Sequence, residues 1–264
     1  MKKALLDGLQ RFVDAMMGAI PQKPPQTSSL QHVRLVAHRG VHGSDCIENT
    51  VAAVQKTLDA KIWGVEFDVR WTQDNVAVLH HDAHCGRLFQ RPDLVLSNLS
   101  WKELHELVPD IPRLKDVCEM FGKHVHFMIE LKEPVHKLNS RLDHLRECLS
   151  TLIPCEDYHI MSLDPALLPT ENFPRQCLLA IAETNTTEIS QWALKERLGG
   201  LTGHYLLITN ALLQRHLDNR QKVGTGFVSS KNVLFREIKR GVSWFFSNNA
   251  HELQAHLDAF TNKE

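Results

Sequence analysis

The sequence predicts a distorted (β/α)8 barrel of the TIM type, preceded by an extra N-terminal amphipathic helix. Three observations predict it. Strand-like runs alternate with amphipathic helical stretches over about 230 residues, which calls for a parallel sheet with helical crossovers. The chain has 264 residues, 43% of them apolar and 23% charged, the composition of one large globular domain. The residues able to carry chemistry fall at the C-terminal ends of strand-like runs, where such barrels open.

In chain order, Leu5, Leu6, Leu9, Phe12, Val13, Met16, Met17 and Ile20 recur at helical spacing and make one apolar face over residues 1–20. Pro21, Pro24 and Pro25 end that helix, so residues 21–30 read as a Pro-rich linker and 31–264 as the catalytic barrel. The helix is expected to cover the barrel's apolar floor. A helix for a membrane surface or an oligomer contact is the alternative, with Lys2, Lys3 and Arg11 on its polar face. Strands are expected at 33–37, 65–69, 76–79, 125–131, 158–161, 177–181, 205–208, 223–228 and 244–246. Helices are expected at 51–60, 101–107, 114–121, 138–151, 189–198, 211–217, 233–239 and 253–260. That is nine strands for eight places. The connection Arg70–Asn75 is also too short for a parallel crossover. Either the chain runs straight back down the barrel, or residues 65–81 form a hairpin that turns at Asp74-Asn75 and lays Asp68 opposite His81.

Charge excludes some functions. Thirty Lys and Arg face 31 Asp and Glu, a formal net charge of −1, so bulk attraction for nucleic acid is absent and any phosphate must be held by a local cluster. Six cysteines (46, 85, 118, 148, 155, 177) lack metal-ribbon spacing and, with no secretory leader pattern, read as free, mostly buried thiols of a reducing cytoplasm. Sixteen histidines make chance His pairs common, so each is judged by its setting.

His38-Arg39-Gly40 ends the first strand: a proton shuttle, a planar fork for phosphate oxygens, and a residue that lets backbone approach a ligand. Asn49 or Thr50 caps the next helix, which does not require Glu48. Strand alternation puts Glu66 and Asp68 on one face and Val65, Phe67 and Val69 on the other. Two inward carboxylates need a hard divalent cation, Mg2+ or Ca2+, or else salt bridges to Arg39 or Lys132. One of His80 and His81 joins that face, and Glu130 and Lys132 share a face of a later strand. Together these groups fit a device that grips a phosphate between an acid and a base.

The order His38-Arg39-Gly40, Glu48-Asn49-Thr50, Glu66-Phe67-Asp68-Val69, His81-Asp82, Ile111-Pro112 and Glu130-Leu131-Lys132 resembles the glycerophosphodiester phosphodiesterase family. The resemblance runs from about residue 33 to 250 and takes in Ser162, Gly241-Val242 and Ser247-Asn248. It implies a distorted barrel that cleaves glycerophosphodiesters to an alcohol and glycerol 3-phosphate, with the substrate's own glycerol hydroxyl as first nucleophile. By the same resemblance His38 and His81 are the acid/base pair, while Glu66, Asp68 and Glu130 hold one divalent cation. Arg39 and Lys132 clamp the phosphate, and Glu48 and Asn49 support the site.

Two departures bear on the substrate. About 47 residues separate His81-Asp82 from Glu130, fewer than the family's headgroup-specific insertion, and Gly224–Ser229 stands where a Trp-Thr-Val-Asn-like motif is expected, leaving Phe227 as the nearest aromatic. A more open mouth admits a lysophospholipid, and the N-terminal helix then has a use as a peripheral membrane contact. A catalytically silent barrel that binds a phosphorylated headgroup is the second alternative. A zinc hydrolase built on His80, His81 and His84 is the third, without the helical spacing such sites use.

Overall fold

The computed structural model describes residues 12–135 and 139–261. Residues 1–11, which carry Leu5, Leu6 and Leu9 of the predicted helix, lie outside the described residues, as do 136–138 and 262–264. The strands are β1 (Arg34–His38), β2 (Gly64–Trp71), β3 (Ala77–Leu79), β4 (His84–Cys85), β5 (Arg91–Val95) and β6 (His126–Leu131), then β7 (Tyr158–Ser162), β8 (Leu178–Ala182), β9 (Gly200–His204), β10 (Lys222–Gly226) and β11 (Trp244–Ser247). β1, β2 and β6–β11 pair in parallel, and β1 pairs with both β11 and β2, which closes an eight-stranded barrel.

The ninth predicted strand is β3, antiparallel to β2, so the hairpin alternative is the one observed. Its register is one residue off the expectation. The loop is centred on Asp74 rather than between Asp74 and Asn75, because Thr72 N–H closes it on Val76 O at 3.1 Å. Val69 therefore faces Leu79, and His80 N–H, not His81, reaches Asp68 O at 3.0 Å.

β9 corrects a second expectation. The strand is Gly200–His204, and the residues predicted as strand, 205–208, turn away from the sheet. Two glycines hid it, since glycine is a poor strand former. Gly200 is required by close approach: a Cβ there would lie 2.1 Å from Lys222 O on β10. Gly200→Ala is expected to cost about 3 kcal/mol, the upper end for overpacking, read as a lower urea midpoint with an unchanged denaturant slope.

Alternation sorts the strand side chains into two layers. Leu35, Ala37, Val65, Phe67, Val69, Phe127, Ile129 and Leu131 point outward into the core shared with the helices. Val36, Met128, Met161, Leu179, Trp244 and Phe246 fill the barrel's lumen. The floor is aromatic: Trp63 stacks on His126, and His126 Nε2 lies 2.8 Å from His159 Nδ1. Apolar packing thus occupies the N-terminal end of the lumen, which leaves the C-terminal end for polar groups. Between β3 and β6 a small excursion has its own core of Val78, Cys85, Leu94, Leu96, Leu104, Val108 and Ile111.

Residues 12–19 are helical and dock at the mouth end, not under the floor as expected. Met17 packs on the main core and Asp14 Oδ1 accepts from the hydroxyl of Tyr205, which directly follows β9, at 2.5 Å. No helix among the described residues is long and apolar enough to cross a membrane. All six cysteines are free, and five are buried.

Candidate active site

The predicted site residues lie at the C-terminal end of β1 or β6, in β2 at the level of those ends (Glu66 beside His38, Asp68 beside Glu130), or in the turn that follows β1, β3 or β6. The turn after β1 is tight, with Arg39 at φ 58° and Gly40 at φ 77°. A Cβ on Gly40 would sit 2.7 Å from Ala53 Cβ, so glycine is needed both for the left-handed backbone and for contact with the next helix. The turn aims Arg39 N–H at Glu66 Oε2 (2.9 Å). Asn49, also left-handed at φ 58°, sends its amide to Asp68: Nδ2 donates to Oδ2 at 2.8 Å, and its Oδ1 accepts from Asp68 N–H at 3.0 Å. Thr50, not Asn49, is the helix cap, accepting from Ala53 N–H.

Glu66, Asp68 and Glu130 converge, each offering a carboxylate oxygen within 4.8 Å of the others. All three are buried. Lys132 Nζ bridges Asp68 Oδ1 (2.9 Å) and Glu130 Oε1 (2.5 Å), while Arg39 Nε lies 3.2 Å from Asp68 Oδ2. Burial, then the charges of Asp68 and Glu130, push the Glu66 carboxyl well above the usual carboxylate range. Burial also raises Glu130. Asp68 goes the other way: against the cost of burial, Lys132 and Arg39 hold it down to about 2. Glu66 Oε1 is buried with no hydrogen-bond partner. Hard oxygen donors, an orphaned carboxylate oxygen and crowded negative charge fit a divalent cation. Among the described residues this is the one such cluster.

The two histidines differ in their support. His38 Nδ1 is 2.7 Å from Asn248 Oδ1, and its Nε2 is 3.8 Å from Glu66 Oε2. An amide oxygen only accepts, so the proton sits on Nδ1 and Nε2 keeps its lone pair. Burial and the neighbouring Arg39 lower its pKa to about 4. Phe227 meets the ring edge-on at 5.1 Å. His81 Nδ1 instead bonds the Asp82 carboxylate at 2.8 Å, and burial lowers its pKa while Asp68 and Asp82 oppose that. His80 leaves the site: it is buried, its Nε2 on His84 O (3.2 Å) and its ring against Phe89. His84 Nδ1 accepts from Gly86 N–H. His80, His81 and His84 therefore do not meet around an ion, which corrects the zinc alternative.

Glu48 acts on the triad at one remove. Its oxygens take Arg39 (2.8 Å) and both guanidinium ends of Arg87 (2.7 and 3.0 Å), and it is held at about 2 by these two arginines against the cost of burial. Arg87 Nε also binds Asp82 Oδ2 at 2.7 Å, so a single side chain ties the partner of His81 to the partner of Arg39. Arg87 was not singled out from the sequence, and Asn248 entered only as part of the resemblance, without a role.

The model of the glycerophosphoryl diester phosphodiesterase family matches residues 38–169, half of the chain. This chain belongs to that family. Glycerophosphodiester phosphodiesterase 1 of Homo sapiens is 29% identical over 125 residues, covering 42% of this chain and 37% of that protein. A lysophospholipase D of Mus musculus is 32% identical over 96 residues, 36% of this chain and 26% of that protein. The matches thus span well under half the length of these curated relatives. An Oleispira antarctica phosphodiesterase solved in complex with the product sn-glycerol-3-phosphate shares the fold, at 18% identity and a TM-score of 0.73 over 87% of this chain and 99% of that one.

Proposed function

We propose that the chain hydrolyses glycerophosphodiesters to an alcohol and glycerol 3-phosphate with one divalent cation, Mg2+ or Ca2+. The observation that carries this reading is the acidic triad beside His38, with Arg39 and Lys132 already in contact with it. When bound, the cation would neutralise charge on the phosphate oxygens and make phosphorus more electrophilic. Glu66, Asp68 and Glu130 would hold it. Lys132 and Arg39, freed in part from the carboxylates they now compensate, would turn their remaining donors to the phosphate.

His38 is proposed as the base of the first step, since Asn248 leaves its Nε2 lone pair available for the proton of the attacking glycerol hydroxyl. His81 is proposed as the acid: Asp82 on Nδ1 favours a protonated ring whose Nε2–H is given to the leaving alcohol. In the second step the roles exchange, His81 accepting a proton from water and His38 returning its own. Glu48 and Arg87 keep Arg39 and Asp82 aligned, and Asn49 fixes Asp68.

A second reading, cleavage of lysophospholipids by the same residues, is favoured by Phe227, exposed beside His38 where a longer apolar tail could lie. The mouse relative's name points the same way. One panel tests both: release of glycerol 3-phosphate from glycerophosphocholine and glycerophosphoethanolamine, and release of choline from lysophosphatidylcholine. EDTA should abolish turnover and Mg2+ or Ca2+ restore it. Glycerol 3-phosphate binding without turnover of any of these would leave only the silent barrel.

A further inference from the structure

We infer that residues 12–20 and the loop after β9 form a docking face for an anionic lipid surface. The helix over residues 12–19 is held in one orientation by specific bonds: Tyr205 hydroxyl to Asp14 Oδ1 at 2.5 Å and Asn232 Nδ2 to Gly18 O at 2.7 Å. With Met17 turned to the core, that orientation leaves Phe12 62%, Met16 55% and Ile20 48% exposed, with the exposed Ala15 and Ala19 between them. These outward positions carry no charge. Leu206 and Leu207, about two-fifths exposed, follow Tyr205 directly, and Phe227, equally exposed, follows β10 and touches the ring of His38. The six side chains are half of the large apolar ones that the described residues expose, gathered at the mouth end. Exposed apolar side chains concentrated on segments next to the ends of β9 and β10 mark a contact with something apolar.

Charge selects the occupant. Over residues 12–25, 204–211 and 227–232 the charged side chains are Asp14, Lys23 and Lys231. Asp14 is 15% exposed and bonded to Tyr205, whereas Lys23 and Lys231 are exposed. Apolar side chains flanked by exposed cations complement an anionic bilayer surface. A second copy fits less well, because a two-fold contact would bring Lys23 and Lys231 against cations of the same face. The docked face would turn the mouth toward the lipid, a consequence that rests on the proposed reaction site, although the binding itself does not.

The test is sedimentation of the full chain with phosphatidylcholine vesicles, with and without about one third phosphatidylglycerol, at low and high salt. The chain is expected to bind the anionic vesicles more tightly, and less so as salt rises. Replacing Met16→Glu together with Leu206→Glu should lower partitioning about tenfold or more while glycerophosphocholine turnover and the melting temperature hold. Lys23→Glu with Lys231→Glu, both on the exposed surface, should abolish the preference for anionic vesicles. Absence of vesicle binding would overturn the inference, as would equal binding by both variants and the parent. A concentration-dependent dimer lost in the Met16→Glu, Leu206→Glu variant would overturn it in favour of a second copy. Because binding is read without turnover, failure of the phosphodiesterase assay alone leaves this result intact.

Discussion

His38→Ala is expected to lower kcat for glycerophosphocholine by about a thousandfold or more, within the range that positioned acid/base groups supply, while the melting temperature stays close to that of the parent. The two halves of that expectation have separate causes. His38 ends β1 with its ring between Asn248, Phe227 and Glu66, and its side chain is 15% exposed. Removing a neutral ring strands no buried charge, so the fold loses little. The proposed reaction, by contrast, uses Nε2 in both steps, to accept a proton in the first and to return it in the second. His81→Ala should lose a comparable factor, and the double variant should be little worse than either single one, because residues that act as a unit are not additive. A His38→Ala enzyme within tenfold of the parent, measured with saturating metal, would remove His38 from the chemistry.

What the sequence made legible of the site follows from the two-residue period of strands. Glu66 and Asp68 could be placed on one face because strand side chains alternate, and Glu130 and Lys132 for the same reason; all four now lie in one cluster. Asn248 was not legible as a partner of His38, because it comes from the far end of the chain, 210 residues on, and meets His38 only when β11 closes on β1. Arg87 sits in a short helical turn of the β3–β6 excursion, a segment whose path no periodicity describes, yet it bonds both Glu48 and Asp82. β9 was displaced in the reading for a different reason. Strand propensity favours Tyr205–Ile208, but room beside β10 decides, and only the glycine-bearing stretch before it has that room. Local preference thus located the elements with ordinary side chains, and failed where closure of the barrel set the requirement.

Glu66→Gln is expected to reverse its effect on stability with the metal. In EDTA the variant should melt above the parent; with saturating Mg2+ or Ca2+ it should melt below it. The sign follows from the direction of the Glu66 shift. Burial, Asp68 and Glu130 raise its carboxyl well above 4.5 in the folded protein. The fold therefore retains a proton that the unfolded chain releases, and stability falls as pH rises from the unfolded value through the raised one. At neutral pH the parent bears that loss and glutamine does not. The amide oxygen can still accept from Arg39 N–H, now bonded to Oε2 at 2.9 Å, so the turn after β1 is preserved. Metal acts in the opposite direction. A cation at a hundred times its dissociation constant stabilises the folded state by about 2.7 kcal/mol, and for a chain of this size each kcal/mol moves the melting temperature by about 2–4 °C. Glutamine offers a neutral, weaker donor in place of one carboxylate, so the variant should gain much less of that increment and lose turnover with it. Calorimetric melts of parent and variant, with and without metal, decide the matter. Equal stabilisation of both proteins by the cation would place the ion elsewhere, and a variant that melts below the parent in EDTA would mean that the triad is not crowded when it holds no ion.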